Sequence, residues 1–180
     1  MEETRAENKL LGAVNNFKFS FKDKTVLDIG ASTGGFTDLA LRRGAKKVIA
    51  VEKGTAQLRG TLRMNPKVDV HEKTDIFKFR TEDKYDVILA DVSFVSLRKV
   101  LNHVKGWGGD YLVLLKPQFE AKRNDLENGI VKNNKIRRAI IKDFENWLKD
   151  NRFVTIRKQD SQTAGRYGNL ERIYWLKYSN

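Results

Sequence analysis

Residues Val26–Thr37, reading VLDIGASTGGFT, constrain this chain more than any other stretch, because an apolar strand runs straight into a glycine-rich turn that opens a helix. Gly30, Gly34 and Gly35 let the backbone turn tightly and approach a ligand, and Thr37 is placed to cap the helix behind them. A dinucleotide-binding loop spaces its glycines as G-x-G-x-x-G so that a diphosphate reaches the helix N-terminus, whereas this loop reads G-x-x-x-G-G behind Asp28. That spacing suits a cofactor without phosphate, S-adenosylmethionine. Its amino-acid moiety and sulfonium would be matched by backbone groups together with a carboxylate such as Asp28. The competing reading is an ordinary strand-to-helix turn.

A second anchor lies where such a fold requires it. The strand Lys47–Val51 ends in Glu52, about twenty residues beyond the loop, where an acid binds ribose hydroxyls. Asp75, in the segment HEKTDIF after a third strand, is a further candidate, placed to meet an adenine amino group.

Strand-like runs at Thr25–Ile29, Lys47–Val51, Val68–His71, Tyr85–Ala90 and Tyr111–Leu115 alternate with helix-like segments near Gly35–Arg43, Thr55–Met64, Ser96–His103 and Lys135–Asp150. Such alternation predicts an α/β fold built on a parallel sheet with helices on both faces. The last helix carries a core stripe of Ile136, Ile140, Phe144 and Trp147 or Leu148. Two further strands, Phe153–Lys158 and Arg172–Tyr178, are close enough to pair as a hairpin, which predicts seven strands with an antiparallel C-terminal edge. Glu120–Asn134 is a long polar connection, of the length that is often functional.

The 180 residues suit one domain with a real core. The longest apolar run, Tyr111–Leu115, is far too short to cross a bilayer, and the charged N-terminus carries no signal-like stretch. A cytoplasmic location is expected, without a membrane role. Zero cysteine removes thiol catalysis and disulfides, and His71 and His103 are too few for a zinc site, so no metal is expected. The balance of 35 Lys and Arg against 23 Asp and Glu gives +12, a field that attracts polyanions such as nucleic acid.

Ligands of open α/β sheets sit at the carboxyl ends of the strands, and there the chain places Asp91 (LADVSF), Lys116 (LLKPQFE) and Glu171 (GRYGNLE). Pro117 breaks the strand behind Lys116 and leaves the lysine at a turn over the sheet edge. A lysine there fits methyl transfer to a ribose hydroxyl, which needs in-line attack on a sulfonium methyl and removal of a poorly acidic proton. The plainer alternative is a salt-bridged polar rim.

Taken in order, LDIGASTGGFTD, ADVSFVSL, LLKPQFEA, NGIVK and GN-x-E resemble the TlyA-type ribosomal RNA methyltransferases of the FtsJ-like superfamily. The resemblance runs from Lys24 to Leu176. It implies a Rossmann-like methyltransferase fold over residues 24–180 and an N-terminal extension, residues 1–23, carrying Lys9. It also implies a 2′-O-methyltransferase with a Lys-Asp-Lys-Glu set, here Lys9, Asp91, Lys116 and Glu171. For S-adenosylmethionine it implies the residues Asp28, Gly30, Ala31, Ser32, Gly34, Gly35, Phe36, Thr37, Glu52, Asp75, Ile76 and Asp91. Two departures stand out. The family usually carries an N-terminal alpha-L RNA-binding domain, for which this chain has no room, so an RNA-delivering protein partner is an expectation. The family's Ser-Arg-Gly-Gly stretch before the first lysine is replaced by Arg5-Ala6-Glu7-Asn8.

For ribosomal RNA or a ribosomal subunit as substrate, Lys122, Arg123, Lys132, Lys135, Arg137, Arg138 and Arg166 are the candidate phosphate contacts, with Tyr167 or Phe119 to stack on a base. Arg137 and Arg138 could equally be the solvated face of an amphipathic helix. The alternatives are a noncatalytic RNA-binding or ribosome-assembly protein, a small-molecule methyltransferase, and the haemolysin role that the family's other label suggests.

Overall fold

The computed structural model describes residues 5–165 and 168–179. Its centre is a seven-stranded sheet of β1 (Thr25–Ile29), β2 (Lys47–Val51), β3 (Val68–His71), β4 (Tyr85–Ala90), β5 (Gly108–Leu115), β6 (Phe153–Asp160) and β7 (Arg172–Tyr178). The strand order is β3-β2-β1-β4-β5-β7-β6. The first five strands are parallel, and β7 runs antiparallel to both β5 and β6. The order therefore reverses between β1 and β4, which opens a crevice at the carboxyl edge of the sheet.

Helices cover both faces, so the central strands are apolar on both sides. Val26, Val48, Val87 and Leu112 pack under α1 (Arg5–Phe17) and α2 (Gly35–Arg42) through Leu10, Val14, Phe36 and Leu39. Leu27, Ile29, Ile88 and Val113 face α4 (Leu97–Val104) and α5 (Asn134–Asp150) through Leu97, Leu101, Ile141 and Phe144. The N-terminal segment is thus a helix docked on the sheet. Ion pairs from Arg42 of α2 to the buried Glu7 and to Asp38, the latter at 3.5 Å, add a polar link at that seam.

Four local expectations change. Of the helix expected over Thr55–Met64 only α3 (Gly60–Arg63) forms, because Ala56 sits at φ 51° and Glu72 takes the amides of Gln57 and Leu58 at 2.7 and 3.1 Å. β5 begins at Gly108, three residues before Tyr111. The buried stripe of α5 is Arg137, Ile141, Phe144 and Leu148, so Ile141 rather than Ile140 faces the core. Thr37 does not cap α2: Gly34 holds the N-cap position at φ 92°, and Thr37 lies inside the helix.

Candidate active site

Parallel register sets the ends of the central strands level, with Ile29 opposite both Val51 and Ala90. The residues that follow, Gly30, Glu52 and Asp91, consequently share one edge and line a cavity of about 630 Å³ together with Asp75, Ile76 and Phe77. A smaller cleft of about 140 Å³ runs beside it between Ala6 of α1, the loop Gly30–Thr33, Gly35, Phe36, Asp91 and Lys116.

The glycine loop is built by sterics. Gly30 turns at φ 79°, and a Cβ there would stand 3.0 Å from the Asp91 carbonyl oxygen. Gly34 has no room for one either, since the Leu62 Cδ1 atom would lie 2.3 Å away. Its role is to seat α2 on the apolar cluster of Ala31, Leu58 and Leu62, and it lines neither cavity. The period of two along β1 turns Asp28 to the same face as Val26, where it is fully buried and accepts the Thr37 hydroxyl at 2.6 Å. Asp28 and Thr37 therefore brace the loop from beneath and stand outside both cavity walls. Burial raises the Asp28 pKa from 3.8 to about 7, against the pull of Thr37, and the nearby Asp91 and Glu52 charges add to the rise.

Glu52 is aimed by backbone amides. It accepts Ser32 N–H at 2.8 Å and Gly54 N–H at 2.6 Å, which ties the end of β2 to the loop after β1. Asp75 accepts the Phe77 amide at 3.1 Å and pairs with Lys53 at 3.1 Å, and those two groups hold its pKa below the ordinary value. Two acids, a strand-end turn with no side chain at Gly30, and apolar walls from Ile29, Val51 and Ile76 form a slot suited to a nucleoside.

The four polar residues of the Lys-Asp-Lys-Glu set form two ion pairs. Lys116 Nζ sits 2.7 Å from Asp91 Oδ1 and donates to Ser93 Oγ at 2.8 Å. Lys9 Nζ donates to Glu171 Oε2 at 2.5 Å, with both side chains buried. The antiparallel register pairs Leu115 with Arg172, which brings Lys116 and Glu171 to adjacent strand ends. Sequence reasoning missed Ser93, whose hydroxyl is visible only once β4 and β5 are side by side. It also missed Phe94, 89% exposed at φ 63° and 5.3 Å from the Phe119 ring.

The basic residues divide. Lys122, Arg123, Lys135 and Arg138 are exposed, and Lys132 pairs with Glu127 at 3.1 Å on the surface. Arg137 turns inward, donating to Asp160 at 2.7 Å and to the Leu170 carbonyl at 3.0 Å, which removes it from the phosphate set. Arg166 and Tyr167 lie outside the described residues. Buried Asn169 joins two of the motifs: it accepts Val131 N–H at 3.0 Å and donates to the Gly129 carbonyl at 3.1 Å.

Strand order, glycine loop and strand-end acids define the S-adenosylmethionine-dependent methyltransferase class, and S-adenosylmethionine is the cofactor. The FtsJ-like methyltransferase family model matches residues 3–178, and the chain belongs to that family. It is 36% identical over 178 residues to the 23S rRNA (cytidine-2′-O)-methyltransferase TlyA of Campylobacter jejuni, covering 96% of this chain and 69% of that one. It is 39% identical to Hemolysin A of Brachyspira hyodysenteriae, over 93% of this chain and 73% of the relative. A solved structure from Streptococcus thermophilus, also named a hemolysin, superposes with a TM-score of 0.93 at 35% identity, covering 98% of this chain and 67% of the other. Among the described residues no helix is long and apolar enough to cross a membrane, and no group of three or more His, Asp or Glu could hold a metal ion.

Proposed function

We propose that this chain methylates a ribose 2′-hydroxyl of ribosomal RNA. The observation that carries the reading is Lys116, held between Asp91 Oδ1 and Ser93 Oγ in the small cleft that shares Gly30, Ser32, Asp91 and Ser93 with the larger cavity. Glu52 would bind the ribose hydroxyls of S-adenosylmethionine, Asp75 and Ile76 its adenine, and the Gly30–Phe36 backbone its amino-acid end. When bound there, the cofactor supplies an electrophilic methyl group.

The chain's own residues do the rest. Lys116 is the residue placed to receive the hydroxyl proton, while Asp91 and Ser93 fix the position of its amino group and stabilise the ammonium that results. Lys9 and Glu171 hold α1 against the start of β7 and close that side of the cleft. Orientation carries the larger share of the rate: holding reactants at near-attack distance is worth about 7–11 kcal/mol, against about 3–5 for one general base. The exposed Lys122, Arg123, Lys132, Lys135 and Arg138 would neutralise phosphates, and Phe94 with Phe119 offers an aromatic face to an unstacked base.

The test is methyl transfer from labelled S-adenosylmethionine to ribosomal subunits lacking the modification, followed by nuclease digestion and mass spectrometry. A methyl on ribose is the expected result. A methyl on a base removes the 2′-O assignment. Cofactor binding without transfer to subunits or free RNA moves a noncatalytic RNA-binding role ahead.

A further inference from the structure

Lys116 and Asp91 stand on two different loops, one after β5 and one after β4, whose roots are set side by side by the pairing of those strands. A second junction joins them further along. Glu120 follows Lys116 by one 3₁₀ turn, Pro117–Phe119, and its side chain is only 4% exposed. Its carboxylate accepts the Ser96 hydroxyl at 2.8 Å and the Leu97 amide at 2.6 Å, and stands 3.3 Å from Arg98 Nε. Ser96 occupies the N-cap position of α4 without capping it through its own side chain. Glu120 thus supplies from another loop the acceptor that the helix N-terminus lacks.

Burial pushes the Glu120 carboxyl above its ordinary value of 4.5, against the pull of Ser96, Leu97 and Arg98. A buried acceptor with those partners is costly to place, and the same residues achieve it only in one relative setting of the two loops. Arg98 extends the junction to α5, reaching Asp143 at 2.7 Å and lying over the Phe144 ring at 5.9 Å. The loops are therefore pinned at both ends: Lys116 with Asp91 and Ser93 at one, Glu120 with Ser96 and Leu97 at the other, and the Phe94–Phe119 ring contact between.

We propose that Glu120 is a positioning residue for methyl transfer, which sets Lys116 against Asp91 by clamping the loop after β5 to the N-terminus of α4. Its consequence for rate rests on the methyl-transfer reading above, but the clamp itself is testable without any substrate. The full chain is treated with acetic anhydride, and the acetylation rates of Lys116 and Lys9 are followed by mass spectrometry in wild type, Glu120→Ala and Glu120→Gln. Glu120→Ala should label Lys116 at least fivefold faster and leave Lys9 unchanged, because the Lys9–Glu171 pair lies outside the clamp. Glu120→Gln keeps an acceptor for Leu97 and should restore most of the protection. Amide exchange should rise across residues 91–97 and 116–121 together.

Exchange confined to the first turn of α4, with Lys116 labelling as in wild type, would make Glu120 a helix cap only and overturn the proposal. Should Glu120→Ala fail to fold, Ser96→Ala removes one ligand of the carboxylate and should raise Lys116 labelling about threefold; unchanged labelling there overturns it equally. In the methyl-transfer assay, kcat of Glu120→Ala should fall about tenfold with S-adenosylmethionine affinity unchanged. Wild type that transfers no methyl would sink the functional reading while the labelling arm still decides the clamp.

Discussion

The two halves of the sheet edge hold their acids in opposite ways. On the cofactor side, Glu52 is fixed by the amides of Ser32 and Gly54, and Asp75 by the amide of Phe77, with the exposed Lys53 beside it at 3.1 Å. On the side proposed for catalysis, Asp91 and Glu171 are fixed by lysines from other elements, Lys116 and Lys9, the second pair spanning 162 positions of sequence. Backbone amides leave a carboxylate with spare lone pairs for ligand hydroxyls, so the first arrangement is suited to binding. A lysine–carboxylate pair instead stores a polarised proton donor and acceptor, so the second is suited to moving a proton.

The largest expected effect breaks that comparison cleanly. Lys116→Ala should lower kcat for methyl transfer by about 10²–10⁴-fold, the span typical for loss of a general base, with cofactor affinity within twofold of wild type. Glu52→Ala should do the reverse: weaken S-adenosylmethionine by about 1–3 kcal/mol, roughly 5- to 150-fold in Kd, and leave kcat at saturating cofactor near wild type. Calorimetric titration and single-turnover transfer on the same preparations separate the two. If both variants lost the same parameter, the division of labour across the sheet edge would be wrong.

That division also explains what was legible. The cofactor side is written in contiguous residues: a strand, a glycine turn and an acid one strand later follow from hydrophobic pattern and spacing, and Gly30, Glu52 and Asp75 fall where that pattern puts them. The β-strands were legible for the same reason, since a fully buried parallel strand is a plain apolar run. The catalytic side depends on which elements become neighbours. Ser93 and Glu120 carry no local signal, and their partners emerge only after β4, β5 and α4 are packed. Segment 55–59 misled because its helical composition was outcompeted by Glu72, a residue on another element that captures two of its amides.

Asp28 looks like an exception, an acid of the glycine motif that touches neither cavity, and its titration sharpens the contrast. Its folded pKa of about 7 lies above the ordinary 3.8, so between those values the native state keeps a proton that the unfolded chain has lost. The stability contributed by the neutral form is therefore complete below about pH 4 and lost as the pH rises through 7. The rise from 3.8 to about 7 amounts to roughly 4 kcal/mol between the extremes. Asp28→Asn retains an acceptor for the Thr37 hydroxyl and cannot ionise. Its Tm relative to wild type should climb between pH 4 and 8, and parallel Tm curves would show that Asp28 does not titrate in this range.

The smallest effects come from two adjacent arginines on α5, which test whether burial or sequence position assigns a role. Arg137 is buried against Asp160 and the Leu170 carbonyl, and Arg138 is exposed. Arg137→Ala should destabilise the fold by about 1–3 kcal/mol, because it removes a buried guanidinium together with its bonds to Asp160 and the Leu170 carbonyl, and should leave the salt dependence of RNA binding unchanged. Arg138→Ala should leave Tm unchanged, weaken RNA binding about equally for all sequences, and reduce the slope of log K against log salt by about one. An exchanged outcome, with the salt slope moving for Arg137 and the Tm for Arg138, would place the RNA face on the opposite side of α5.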